Sequence, residues 1–261
     1  VFRADLPMRE GSYSWSTQSH AGFDTSIVLI DTDEGITGVG ECCPLGPTYL
    51  PAYADGVRAG IAQLAPSLIG HDPTQLDHIN TVMDTHLKGH PYVKSALDMA
   101  CWDILGKVAN LPLYILLGGK LQDRVTLYKV VTRADPAAMA ERIPEYRDQG
   151  FRQFQVKVGE SPATDIIRIH RVAQEMQAGE VLNADANTGW KQHEALQVAD
   201  AITGLGRQTG VRVTFEQPCL SYHECLAVRQ HTNLPFVLDE CMDSIGCLLY
   251  TSPSPRDRSL S

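Results

Sequence analysis

The chain is poor in the features that place a protein outside the class of ordinary globular enzymes. No apolar run in its 261 residues reaches the length of a membrane span, and no signal-peptide pattern is visible. Positive charge is in deficit: the formal net charge is −9, which argues against a general nucleic-acid binder. The seven cysteines contain no C-x-x-C pair and their number is odd. They therefore read as reduced thiols, and the expected compartment is the cytoplasm. Gly38-Val39-Gly40 lacks the later glycine and the helix that a dinucleotide site needs. His86 and His90 are separated by Gly89, which ends the helical stretch between them, so no zinc site is expected. The first residue is Val1 rather than Met, and the true N-terminus is expected to lie elsewhere.

What is present begins with two strand signals. Thr25 to Asp31 and Ile36 to Glu41 are joined through Asp33-Glu34-Gly35, a hairpin signal, and Val1 to Pro7 reads as an edge strand. Arg9 to Gly22 is polar and aromatic and reads as a loop. Cys42 to Pro51 holds three prolines and excludes regular structure. Helices are predicted over Ala54 to Ile69 and from the Asp72-Pro73 start signal to about Leu87. A third is predicted over Tyr92 to Val108, where Val93, Ala96, Leu97, Ala100, Cys101, Ile104, Leu105 and Val108 keep helical spacing.

From Val125 the pattern changes to strand–helix alternation. Strands are predicted at Val125 to Val131, Gln153 to Val158, Glu180 to Ala184, Val211 to Phe215 and Pro235 to Leu238. Helices are predicted at about Pro136 to Gln149, Ala163 to Gln177, Lys191 to Thr203 and Ser221 to Thr232. A run of βα units is the signature of a parallel sheet or barrel. Five strands fall short of the eight that close a TIM barrel.

Three of these strands end in acids: VLNADANTGW reaches Asp185 and Asn187, VRVTFEQPC reaches Glu216, and LPFVLDE reaches Asp239 and Glu240. A carboxylate closing an apolar strand is costly unless paired, hydrated or bound to a metal. One such acid is ordinarily a helix cap or a solvated loop residue. Three in succession, after a strand carrying Lys157, weigh toward a shared site for a hard cation, best Mg²⁺. Gln155 and Lys157 are two apart, so both side chains share one face of their strand. A lysine buried beside a cation loses affinity for its proton and could serve as a base.

The segment after Gly246 follows neither period. Cys247 to Asp257, CLLYTSPSPRD, resembles the in-frame translation of a transposase sequencing adaptor. Residues 247–261 are therefore expected to be a non-native tail, on a protein truncated after about five barrel strands.

The pieces GVGECCPLGP, SALDMACWDILGK, FQVKVG, NADANTGW, FEQP and LDE occur in that order. In them the chain resembles the enolase superfamily, and within it the muconate-lactonizing, mandelate racemase-like enzymes. The resemblance implies an α+β capping domain over residues 1–120. It implies an α/β TIM-like (β/α)7β barrel, truncated, over residues 121–246. It also implies Mg²⁺ held by Asp185, Glu216 and Asp239, with Lys157 taking the proton α to a carboxylate to give a metal-stabilised enediolate. A second lysine, on a sixth strand, would work on the opposite face. The subgroup commonly carries lysine where this chain has Gln155.

Within the family the likeness is to enzymes acting on proline derivatives, carried by ECCPLGPTYLP, the Gln-x-Lys strand, GHPYVKSALD and EQPC. The expected parent reaction is racemisation or epimerisation of a proline-type amino acid or betaine. The alternatives are cis-3-hydroxyproline dehydration and, in another class, a catalytically incomplete metal-binding fragment. Expected substrate contacts are Gln155, Tyr49, Trp15, Asn187 and Glu240, with Tyr13 a further aromatic suited to a quaternary ammonium. The expected partner is a small carboxylate substrate, with no nucleic acid and no membrane, in a parent that forms a homo-oligomer.

Overall fold

A computed structural model of the chain describes residues 1–9, 11–16 and 18–242. In chain order these residues begin with β1 (Phe2–Pro7), β2 (Tyr13–Trp15), β3 (Gln18–His20), β4 (Gly22–Asp31) and β5 (Thr37–Cys42). Next come α1 (Ala54–Leu68), α2 (Leu76–His86), α3 (Pro91–Ala109) and α4 (Leu113–Leu116). Alternation follows: β6 (Lys129–Val131), α5 (Pro136–Asp148), β7 (Gln153–Lys157), α6 (Pro162–Glu175) and β8 (Val181–Asp185). It continues with α7 (Gln192–Ile202), α8 (Leu205–Thr209), β9 (Arg212–Glu216), α9 (Tyr222–Arg229) and β10 (Phe236–Val237). The expectation for the adaptor-like tail, residues 247–261, lies outside the described residues. Among the described residues no helix is long and apolar enough to cross a membrane.

The chain divides into two compact units: Val1–Gly11 with Ala21–Val125, and Ser12–His20 with Thr126–Ser261. The first is an antiparallel sheet in the order β1-β4-β5, with helices α1, α2 and α3. Its core is Val28, Val57, Ile61, Leu64, Ile79, Met83, Val93, Leu97 and Cys101. Gly38 and Gly40 allow β5 to lie directly on α3, because a Cβ at either would collide with the carbonyl of Ala100 or Ala96. Two expectations change here. Asp72 caps a turn through the Thr74 N–H (2.9 Å), and the helix starts four residues later, at Leu76. Val108 keeps the α3 spacing but is exposed near the helix's last turn.

The second unit holds a parallel sheet in the order β10-β9-β8-β7-β6. The register Val156↔Ala184 and Ala184↔Phe215 carries through three strands, so equivalent residues share a face. One face is apolar: Phe154, Val156, Leu182, Ala184, Val213 and Phe215 join the core. The opposite alternation carries Gln155, Lys157, Asn183, Asp185, Thr214 and Glu216. Helices α5, α6, α7 and α9 follow the strands as the βα rhythm predicts. Among the described residues this sheet has five strands. The strand expected from Val125 begins only at Lys129, which pairs with Phe154, one residue past the start of β7. Val125, Leu127 and Tyr128, with no strand beside them, are exposed.

The loop expected over Arg9 to Gly22 contains a hairpin instead. Tyr13 pairs with His20, Ser14 with Ser19 and Trp15 with Gln18. The hairpin belongs to the second unit, and distant groups hold it there. Ser14 N donates to Thr132 Oγ1 (2.6 Å), Thr132 Oγ1 donates to Ser14 O (3.0 Å), and Arg133 N donates to the same Ser14 carbonyl (2.9 Å). Ser16 N donates to Val158 O (3.1 Å) and Ser16 Oγ to Gly159 O (3.1 Å). Local composition gave no hint of a partner more than a hundred residues away.

Candidate functional site

The C-terminal ends of β7, β8 and β9 bring Lys157, Asp185 and Glu216 into line, paired Lys157↔Asp185 and Asp185↔Glu216. All three are buried, at 4%, 1% and 6% exposure. Lys157 Nζ donates to Asp185 Oδ2, forming an ion pair, and to Asn187 Oδ1 at 3.1 Å. Gln155 Nε2 bridges two acids, donating to Asp185 Oδ2 and Glu216 Oε2 at 2.9 Å each. Asn183, one step along β8, donates to the same Glu216 oxygen and accepts from Thr214 Oγ1 (2.7 Å). Asn187 Nδ2 continues the chain of contacts to Glu240 Oε1 (2.9 Å). The third acid expected, Asp239, lies two residues past β10 and is exposed.

The electrostatics are those of a site short of positive charge. Burial raises the Asp185 carboxyl above its ordinary range, against the pull of Lys157, and the negative charge of Asp239 adds to the rise. Burial likewise raises Glu216, with Asp185 next to it as the second cause. Glu240 is pushed up to about 7, burial being the largest cause. Its Oε2 is buried with no hydrogen-bond partner. For Lys157, burial alone would lower the ammonium's affinity for its proton. Asp185 and Tyr13 outweigh that, and the net direction is upward. The lowered value expected for a base beside a cation is thus not the state of a lysine paired with Asp185.

Four acids, Asp185, Glu216, Asp239 and Glu240, stand against Lys157. Among the described residues no three His, Cys, Asp or Glu side chains converge into a ready-made metal cage. Asp185 is paired with Lys157 instead, and Gln155 bridges it to Glu216. Asp185 and Glu216, two buried carboxylates that repel each other, with the charge of Asp239 acting on Asp185, nonetheless form an all-oxygen set of the chemistry that suits a hard divalent cation.

The remaining expected contacts divide. Gln155 is engaged with the two acids, its amide nitrogen a neutral double donor between them. Trp15 is 3% exposed and stacks on His20 with ring centroids 4.9 Å apart, a packing role within the hairpin. Tyr13 is the aromatic beside Lys157, its ring centroid 5.8 Å from Nζ, and burial raises its phenol. Tyr49 belongs to the first unit, in the irregular stretch after β5, with its N–H on Gly46 O (3.2 Å).

Sequence reasoning missed the supporting groups. Asp165 is fully buried on α6 and accepts from Gly159 N (3.1 Å), Glu160 N (2.8 Å) and Trp190 Nε1 (3.1 Å), fixing the loops that follow Lys157 and Asp185. Gln217 is fully buried directly after Glu216. The FEQP and NADANTGW stretches that carry Gln217 and Trp190 were legible as motifs, but their hydrogen bonds were not.

Known proteins resemble the chain along most of its length. Residues 3–118 match the mandelate racemase/muconate lactonizing enzyme N-terminal domain, and residues 138–247 match the enolase C-terminal domain-like family. The cis-3-hydroxy-L-proline dehydratase of Roseibium aggregatum is 50% identical over 250 residues, 95% of this chain and 66% of that protein. A member of the enolase superfamily from Roseovarius nubinhibens ISM, in a structure complexed with magnesium, superposes with TM-score 0.84 at 41% identity. That match covers 96% of this chain and 66% of the other. The N-succinyl Arg/Lys racemase of Bacillus cereus ATCC 14579 superposes with TM-score 0.89 at 29% identity, over 95% and 67% of the two chains. The chain thus spans about two thirds of the length of the curated relatives it matches. Those relatives are enzymes: a dehydratase, racemases, epimerases and cycloisomerases.

Proposed function

Because the chain belongs to the mandelate racemase/muconate lactonizing enzyme family of the enolase superfamily, we propose that it carries the proton-abstracting half of a dehydratase acting on a cyclic 3-hydroxy amino acid of the cis-3-hydroxyproline type. The observation that carries this reading is the aligned row Lys157, Asp185 and Glu216 on three neighbouring strand ends. Likeness to the Roseibium dehydratase moves the weight from racemisation, the first expectation, to dehydration.

Asp185, Glu216 and Asp239 are the residues that would hold Mg²⁺, with Gln155 and Asn183 orienting two of them. The cation would supply positive charge for the substrate carboxylate, and for the charge that builds there as the α-proton leaves. Lys157 takes that proton at Nζ as the neutral amine, a state that requires Asp185 to release the ion pair, and Asn187 Oδ1 keeps the amine aimed. The Cα–H electron pair becomes the Cα–Cβ double bond, the β-hydroxyl departs with a proton, and the net loss is one water. Glu240, with one buried oxygen unpartnered, suits the ring ammonium of a proline-type substrate.

Racemisation of a proline-type substrate remains the second reading. It is favoured by the Tyr13 ring, which already lies near the cation of Lys157. The test incubates cis-3-hydroxy-L-proline and proline betaine with Mg²⁺ in deuterated water. It uses the 261-residue chain. The expected result is loss of one water from the hydroxyproline by mass spectrometry. Deuterium at the α-carbon without water loss would replace dehydration by racemisation. Turnover by the 261-residue chain itself would refute the reading of an incomplete, merely metal-binding fragment.

A further inference from the structure

Three residues other than glycine have positive φ just beyond the acid-bearing strand ends: Asn187 (43°) and Thr188 (65°) after Asp185, and Gln217 (31°) directly after Glu216. Such backbone is sparsely populated and persists where surrounding contacts over-determine it. Around Gln217 those contacts are unusually complete. Its N–H donates to Val237 O (2.9 Å), on the neighbouring strand β10. Its carbonyl accepts from Thr188 N (2.9 Å), in the loop after β8. Its side-chain Oε1 accepts from Asp239 N (2.7 Å). Its Nε2 donates to Cys219 O (2.9 Å) and, at 3.6 Å, to Cys225 Sγ on α9.

One fully buried residue thus touches the segments that carry all three acids: it follows Glu216, holds the loop after Asp185, and fixes the backbone N–H of Asp239 itself. A structural role alone would be served by any of these bonds. The side chain, however, reaches the third acid's own amide across the strand gap, where β10 is only two residues long and cannot fix Asp239 by pairing.

We propose that Gln217 is the positioning residue that sets the spacing of Asp239 against Asp185 and Glu216, and so sets the affinity of this acid set for a divalent cation. The inference rests on the reading of those acids as metal ligands. Removing the Oε1 contact loosens the hold on the Asp239 backbone while Asp185 and Glu216 stay where β8 and β9 hold them. A positioning partner of this kind is worth about 10- to 100-fold in metal affinity.

The experiment measures Mn²⁺ binding to the 261-residue chain by electron paramagnetic resonance, with far-UV circular dichroism as a fold check. It compares the parent, Asp239→Asn and Gln217→Met. Gln217→Met is expected to bind Mn²⁺ about 10- to 100-fold more weakly with an unchanged spectrum, and raised Mn²⁺ should restore full occupancy. If Asp239→Asn binds like the parent, the ligand assignment fails. If Asp239→Asn weakens binding while a folded Gln217→Met stays within about twofold of the parent, the ligand assignment stands and the positioning role is overturned. Should Gln217→Met not fold, amide hydrogen exchange of the parent decides. Protection of Asp239 N–H well below the free-peptide rate is expected, and exchange at the free-peptide rate overturns the proposal.

Discussion

In the first unit, Gly38 and Gly40 let a strand lie against the backbone of helix α3; in the second, Gly159 and Gly189 let two loops touch. A Cβ at Gly159 would collide with the Ala186 carbonyl, and one at Gly189 with the carbonyl of Gly159. The device is the same and its setting differs. Gly38 and Gly40 seat a helix on a sheet beside an apolar core, where the buried polar groups of β4 are the short hydroxyls of Thr25 and Ser26. Gly159 and Gly189 hold together the loops that follow Lys157 and Asp185, beside buried polar groups that must each find a partner. The first unit's ion pairs stay near the surface, as with Arg58–Asp24 (2.8 Å). The second unit buries its charges, as with Lys157–Asp185 and Arg168–Asp165. Packing can be repaired locally by small shifts, whereas a network of buried polar groups loses function when one member moves.

The largest expected effect tests whether the second unit's strand ends carry the chemistry. Lys157→Ala should lower α-proton exchange by about 10²- to 10⁴-fold, the usual worth of a general base. Exchange into deuterated water by NMR measures it, and undiminished exchange would remove Lys157 from the site.

Next come the glycines. Gly40→Ala and Gly159→Ala should each destabilise on the order of 1–3 kcal/mol, since the neighbour in each case is backbone and cannot turn aside. Gly159, at φ 93°, adds conformational strain. Thermal unfolding reads the stability. The comparison predicts that only Gly159→Ala also weakens Mn²⁺ binding, and equal effects of both on the metal would erase the distinction between the units.

A buried pair outside the site gives a pH test. Burial would raise Glu180, but Arg147 and the Gln177 N–H more than offset it, and its carboxyl lies below the ordinary value of 4.5. The two hydrogen bonds to Arg147 measure 2.7 and 2.9 Å. A depressed folded value means stabilisation present above the unfolded value and lost as pH falls through the folded one. Glu180→Gln should therefore cost roughly 2–3 kcal/mol near neutral pH, and progressively less as the pH falls below the ordinary carboxyl value of 4.5. Urea melts across that range check it, and a pH-independent difference would count against the pair.

The smallest effect belongs to the first unit. Asp24→Asn removes a partner of Arg58 and Arg3 at the surface. The loss should be slight and should shrink further with added salt.

The sequence disclosed what repeats. The alternation of apolar runs and helical stretches located β7 to β9 within a residue or so, because strands covered by helices on one face must be apolar there. Period-two geometry then put Gln155 with Lys157 and Asn183 with Asp185 on the other face. The acids were legible because a carboxylate at the end of an apolar strand contradicts its surroundings. What stayed hidden depends on distant partners. Ser14 looks like a loop residue until Thr132 reaches it. Gln217 looks like a polar residue in a turn until the Asp239 amide is placed beside it. The two acids 2.9 Å from the Gln155 nitrogen were likewise out of sight, because they sit on other strands. The helix start at Asp72-Pro73 was a turn because Asp72 spends its side chain on Thr74, a local competitor that the same signal also describes.

The hairpin at Tyr13–His20 has a consequence for how the chain comes to be folded. It leaves the ribosome early, yet Ser14 bonds a residue 118 positions later and Ser16 one 143 positions later. The whole first unit is synthesised before those partners exist. Closing so long a loop costs entropy that grows only slowly with its length, but contacts of such high order are made late. The hairpin's own rungs are local, but its bonds to Thr132, Val158 and Gly159 form only once those later residues exist. A cut at residue 125 would yield two pieces, of which the second lacks the strap across Val158 and Gly159. The boundary between the units is crossed by the chain more than once, and independent expression of the second needs residues 12–20 grafted back onto it.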